Sequence, residues 1–275
     1  MGGTSSFFSK SIGVYLIAIL FFLLGVSGED FRVEKSFHFI VYYNNCKRSF
    51  LDRLIREAED AYTEIAEELR FFREDPWVWE RRAKIFIFDS KEDYLKETNM
   101  PSWSGGCARP LEKTIYTYSG SYKFFGYTLI HELTHLVFRE IIKKARVPLW
   151  LEEGVAVYME RKREASSLVR LMGRLIRENK VIPFEEFLDL EFADLDKERS
   201  PQDELRGLSY VEKFYLQSFS LVYFLIKKYD MYRFTSMLRK IREGDTFSES
   251  FSSTYRILRS REKLEEEWRD FYQRR

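Results

Sequence analysis

Phe124-Phe125-Gly126-Tyr127-Thr128-Leu129-Ile130-His131-Glu132-Leu133-Thr134-His135-Leu136-Val137-Phe138-Arg139-Glu140 is the stretch around which the chain is organised. Residues four apart on a helix lie one above the other on the same face. His131 and His135 therefore offer two imidazoles to a single metal ion. Glu132 is turned by about 100° from the first histidine. From there its carboxylate can reach a water on the metal without being a ligand itself. The chain has only 3 histidines, and two of them stand here. Apolar residues occupy nearly every other position of the stretch, so the helix belongs in a core. A carboxylate in such a helix is costly unless it is paired or lies beside a metal.

H-E-x-x-H on a helix is the pattern by which zinc hydrolases hold the metal and a general base. A catalytic zinc takes three protein ligands and keeps one position open for water. The third ligand is expected downstream, in Trp150-Leu-Glu-Glu-Gly-Val-Ala-Val-Tyr158. Pro148 breaks the chain just before it. Apolar residues then resume at helical spacing, at Leu151, Val155 and Tyr158. Gly154 and Ala156 are small enough to let this helix approach the histidine helix closely.

Taken together, the two motifs resemble the gluzincin metallopeptidases, and in particular the short peptidase MA-like group. Proteins of that group carry H-E-x-x-H followed by a W-L-x-E-G-x-A block, in which the Glu before the Gly is the third ligand. The resemblance implies His131, His135 and Glu153 as zinc ligands, with Glu152 the alternative to Glu153. It implies Glu132 as the base that takes a proton from water and passes it to the leaving amine. Peptide or protein is the implied substrate.

An oxyanion donor is also expected opposite the metal. His38 lies far upstream, so a tyrosine is the candidate, since its hydroxyl keeps its proton at neutral pH. Tyr215 stands in a Tyr-Leu-Gln-Ser segment that resembles the family and is the first choice, with Tyr210 second. The final Trp268-Arg-Asp-Phe271 is similar to the same group. The large aminopeptidases of the clan carry a Glu near Gly105–Arg109 that holds the substrate amine. This chain has Gly-Gly-Cys-Ala-Arg there, which argues against that specificity. The same comparison implies that this segment borders the cleft, beside an edge strand that binds extended peptide by backbone hydrogen bonds.

Residues 1–28 read as a targeting segment. Lys10 precedes an apolar run, Ile12–Val26, and Val26-Ser27-Gly28 offers small residues for cleavage. The run is shorter than the roughly 20 residues a spanning helix needs. It is read as a cleaved signal peptide, with an uncleaved N-terminal anchor as the alternative. Residues 29–275 are then an exported peptidase domain, secreted, periplasmic or at the cell surface. Removing Lys10 takes the formal charge of +1 to zero. No basic stripe suggests nucleic acid. Contact with a membrane is expected only through an uncleaved leader.

The pattern of elements predicts an α+β fold: a small twisted sheet with a helix packed on it, then a mainly helical half, with the zinc in a cleft between them. Strands are expected at Phe37–Tyr43, Ala83–Phe88 and Thr114–Tyr118. Helices are expected at Ser49–Phe72, Lys91–Glu97, Ser166–Asn179, Tyr210–Tyr229, Met231–Arg242, Thr246–Tyr255 and Arg261–Tyr272, with a charged loop over Asp194–Arg206. Ser119-Gly120-Ser121 is read as the cap of the metal helix. His38 is read as a satisfied histidine on a sheet face. Cys46 and Cys107 are the only cysteines; an oxidising compartment would let them pair, and neither is needed as a ligand. A zinc-bearing binding protein without turnover, and a non-peptide hydrolase on the same site, are the competing functions. The retained Glu132 favours an enzyme.

Overall fold

The computed structural model describes residues 31–70, 77–102, 104–197 and 208–274. The leader, Trp103 and the second part of the charged loop lie outside the described residues. The described residues fall into two units, the first ending at Val137 and the second beginning at Phe138, divided inside the histidine helix. The architecture is α+β, a small mixed sheet and a mostly helical half.

In the first unit five strands form one sheet. They are β1 (Arg32–Lys35), β2 (Phe39–Tyr43), β3 (Ala83–Phe88), β4 (Gly106–Arg109) and β5 (Thr114–Tyr118), in the order β1-β2-β3-β5-β4. β2, β3 and β5 run parallel, and the two edge strands are antiparallel to their neighbours. Phe39, Val41, Ile85, Ile87 and Ile115 on the parallel strands are all fully buried, with β2 and β3 alternating in burial and β5 buried at four successive positions. Helix α1 (Arg48–Glu68) has one apolar face, with Leu54, Ala58, Tyr62 and Ile65 buried. Phe39 meets the Tyr62 and Trp77 rings at 6.3 and 6.0 Å. On the other face Tyr42, Phe86 and Tyr116 stack in a row at 4.5 and 5.4 Å. Helix α2 (Lys91–Thr98) brings Tyr94 to the end of that row, beside Phe88 and Tyr118.

His38 is satisfied as expected. Its backbone N–H and its Nδ1 both meet the Glu59 carboxylate, at 2.9 and 2.5 Å. Cys46 and Cys107 are both free thiols.

The histidine helix, α3, spans Tyr127–Ile142 and starts later than the sequence reading placed it. Ser121 does not cap it. The Ser121 hydroxyl donates instead to the Gly105 carbonyl at 2.8 Å. A 3-10 turn over Tyr122–Phe124 and Gly126, at φ 73°, then lead the chain into the helix. Glycine suits this left-handed conformation.

The second unit is helical after α3. It comprises α4 (Leu149–Arg161), α5 (Ala165–Arg177), α6 (Phe184–Asp189), α7 (Phe192–Lys197), α8 (Tyr210–Tyr229), α9 (Met231–Glu243), α10 (Phe247–Thr254) and α11 (Arg261–Gln273). α7 occupies the start of the stretch read as a charged loop. α8 begins with a reciprocal capping box between Ser209 and Glu212. The Tyr-Leu-Gln-Ser and Trp-Arg-Asp-Phe segments turn out to serve its packing. The Gln217 amide exchanges both hydrogen bonds with the Ile182 backbone at 3.1 Å. Trp268 Nε1 donates to Ser220 Oγ at 2.9 Å, and the Tyr272 hydroxyl to the Ser220 carbonyl at 2.8 Å.

No helix among the described residues is long and apolar enough to cross a membrane.

Candidate metal centre

Helix α3 stacks the two histidines as the four-residue spacing requires. Their Nε2 atoms lie 3.1 Å apart and their rings cross at 74°. Both are buried, at 6% and 8% exposure. Two nitrogens bound to one zinc at about 2.0–2.1 Å with tetrahedral geometry are roughly 3.3 Å apart. The observed spacing therefore suits a shared cation. A carboxylate oxygen of Glu153 completes the group: ligand atoms of His131, His135 and Glu153 all lie within 4.8 Å of one another. Two imidazoles and one carboxylate form a donor set typical of zinc.

Glu152 goes elsewhere. Its Oε2 accepts from Arg139 Nη2 at 2.8 Å. Arg139 Nη1 also donates to the Ala145 carbonyl at 3.2 Å. One guanidinium thus ties the last turns of α3, the following loop and the first turn of α4 together. That bracing sets the rotation of α4 at Glu152 and Glu153. Sequence reasoning passed over Arg139. Its signal was positional: a cation four residues after His135, continuing the histidine stripe along an apolar helix.

The small residue after Glu153 serves a different neighbour from the one expected. A Cβ placed on Gly154 would stand 2.5 Å from the Ser218 carbonyl oxygen and 2.7 Å from Val222 Cγ2. Gly154 therefore permits close contact of α4 with α8. Glu153 itself is only 1% exposed.

Glu132 is buried at 2% exposure on the same helix as the histidines. Cys107, on the edge strand β4, lies close enough to feel its charge. Burial first, and then the Glu132 carboxylate, push the Cys107 thiol up to about 12. Burial, and after it Cys107, likewise raises the Tyr94 hydroxyl. Tyr94 bonds Ser104 Oγ at 2.6 Å, and Ser104 donates to the Gly106 carbonyl at 3.1 Å. Thr117 and Ser121 both donate to the Gly105 carbonyl at 2.8 Å. The paired glycines also fit tightly, since a Cβ on Gly106 would fall 2.4 Å from the Phe124 ring. The edge strand beside Glu132 is therefore held on several sides. Nothing in the sequence of this short segment marked those bonds.

Of the two tyrosines considered as oxyanion donors, Tyr210 donates to Glu186 Oε1 at 2.6 Å. Tyr215 is buried at 1% exposure, one turn before Ser218, on the helix that meets α4 at Gly154.

A family model described as Peptidase MA superfamily matches residues 78–274 of the chain. No curated protein matches it.

Proposed function

This chain belongs to the Peptidase MA superfamily, and from that premise we propose that it is an exported, zinc-dependent metallopeptidase of the gluzincin type. The observation that carries the proposal is the convergence of His131, His135 and Glu153 on one point. A zinc ion held there supplies the positive charge that makes water acidic enough to lose a proton near neutral pH. The rest of the chemistry falls to the protein. Glu132, one residue from the first histidine, accepts the proton of the attacking water. It then returns the proton to the amine that leaves.

The peptide is proposed to extend along β4, an edge strand of the sheet. Its backbone would add to the free side of that strand. The bonds that hold Gly105 and Gly106 support this reading, because a rigid edge aligns an extended chain without an ordering cost.

The test is hydrolysis of a peptide library by the purified protein, before and after treatment with a chelator. Activity is expected to disappear with the metal and return when zinc is supplied. Zinc binding without turnover on any peptide would replace this reading with a zinc-bearing binding protein. Turnover confined to non-peptide substrates would keep the centre and change the substrate class.

Tyr215 is proposed as the donor to the developing oxyanion. Its support is its burial and its place on the helix that packs against α4 at Gly154. Tyr215→Phe keeps the ring and removes one donor. Zinc content and KM are expected to stay near wild type, while kcat falls by about 10²-fold or more. A variant with wild-type kcat would remove Tyr215 from the mechanism.

A further inference from the structure

One end of the sheet carries three exposed apolar side chains, each from a different connection. The register pairs Phe39 with Ala83, Lys84 with Thr114, and Arg109 with Thr114. The β1–β2 turn, the 3-10 turn at Trp79–Arg81 and the 3-10 turn at Pro110–Glu112 therefore lie side by side. Phe37 in the first is 67% exposed, Trp79 in the second 72%, and Leu111 in the third 84%. Single exposed apolar residues are ordinary on a protein surface. Three large ones gathered at one end of a sheet, from three separate connections, are not.

The connections are also braced against one another. Arg82 Nε donates to the Phe37 carbonyl at 3.0 Å, and its Nη1 to the Trp79 carbonyl at 3.3 Å. Lys113 Nζ donates to the Arg81 carbonyl at 3.3 Å. Trp79 has φ 57°, a left-handed conformation that a bulky side chain adopts only under constraint. The backbone at Trp79 is thus held at some cost in energy, and its indole is exposed.

Charge completes the pattern. The connections contain Arg81, Arg82 and Lys113 against Glu80 and Glu112. Nearby strand residues include Lys35, Lys84 and Arg109, of which Arg109 is paired with Glu112 at 3.7 Å. Apolar tips set among cations match a layer that is anionic outside and apolar beneath.

We propose that this end of the sheet docks the domain on a membrane surface bearing anionic lipid. Trp79, Phe37 and Leu111 enter the headgroup layer, and the surrounding cations face lipid phosphates. Trp favours this interface because its ring is apolar and its N–H can stay hydrogen-bonded. Basic residues add attraction to the anionic surface. The apolar run Ile12–Val26 ends a few residues before β1. A chain that retains that run is tethered where β1 begins, at Arg32 beside Tyr43, the end of the sheet away from the patch. The patch acts separately from it and sets which face of the domain meets the lipid.

Tryptophan fluorescence of the full-length protein tests this. The protein is mixed with phosphatidylcholine–phosphatidylglycerol vesicles whose acyl chains carry bromine, a contact quencher. Of the 5 tryptophans, Trp77, Trp150 and Trp268 are buried, and the difference between wild type and Trp79→Phe isolates the Trp79 indole from the rest, Trp103 included. Wild type is expected to lose a component of its emission that Trp79→Phe lacks. The loss should be smaller with pure phosphatidylcholine, at high salt and in Leu111→Ser. Leu111 is exposed enough for that change to leave the fold intact, which circular dichroism checks. Equal quenching of wild type and Trp79→Phe would overturn the proposal. So would an indole that stays open to acrylamide in the presence of vesicles; the patch would then be left for a protein partner.

Discussion

Glu132→Gln will lower peptide hydrolysis by about 10²–10⁴-fold, the range that a positioned proton-transfer group contributes, while the metal stays in place. The amide matches the carboxylate in shape, so a site that is 2% exposed need not repack. What the amide cannot do is take a proton from water. His131 and His135 keep their stacking, because helix geometry rather than Glu132 sets their 3.1 Å separation. Metal analysis should therefore give wild-type zinc, and a substrate titration should place the loss in kcat with KM little changed. Each tenfold in that loss corresponds to about 1.4 kcal/mol of transition-state stabilisation. Retention of full kcat would show that another group accepts the proton. Loss of zinc would show that Glu132 is a ligand, and the proposed division of roles would fail.

The parts of this molecule that could be read from its sequence are those whose physics is local. A four-residue spacing brings two imidazoles together on any helix. The strands Ala83–Phe88 and Thr114–Tyr118, and the long periodic helix Tyr210–Tyr229, fall where the sequence reading placed them. The edge strands β1 and β4, four residues each, are too short to show a pattern. They exist because β2 and β5 pair with them, a non-local cause. The start of α3 was misread for a related reason. Ser121 has the chemistry of a cap, but a backbone carbonyl sixteen residues upstream takes its hydroxyl. Gly154 was rightly read as a point of close approach, yet nothing local tells which neighbour approaches, and that neighbour is α8. The Tyr94–Ser104 contact and the nearness of Cys107 to Glu132 depend on sheet topology in the same way.

The choice between adjacent glutamates gives the second large effect, and it is read on the metal rather than on turnover. His135→Ala leaves two of the three proposed ligands and a void beside His131. Zinc is expected to fall from about one per chain, the stoichiometry of a three-ligand catalytic site, to near none, and activity with it. Glu153→Gln removes the proposed anionic ligand and should weaken zinc strongly even though its shape is kept. Glu152→Gln is the control. The Glu152 carboxylate lies 2.8 Å from Arg139 and supports α4 from outside the group of ligand atoms. Its loss should lower zinc affinity by no more than about 10–100-fold, the scale seen for residues that orient ligands. Competition with a chromophoric chelator would measure all three variants alongside wild type. If Glu152→Gln releases zinc and Glu153→Gln holds it, the register of α4 is wrong by one residue. Arg139 would then be bonded to the true ligand, and its contact with Glu152 would be a feature of the metal site itself.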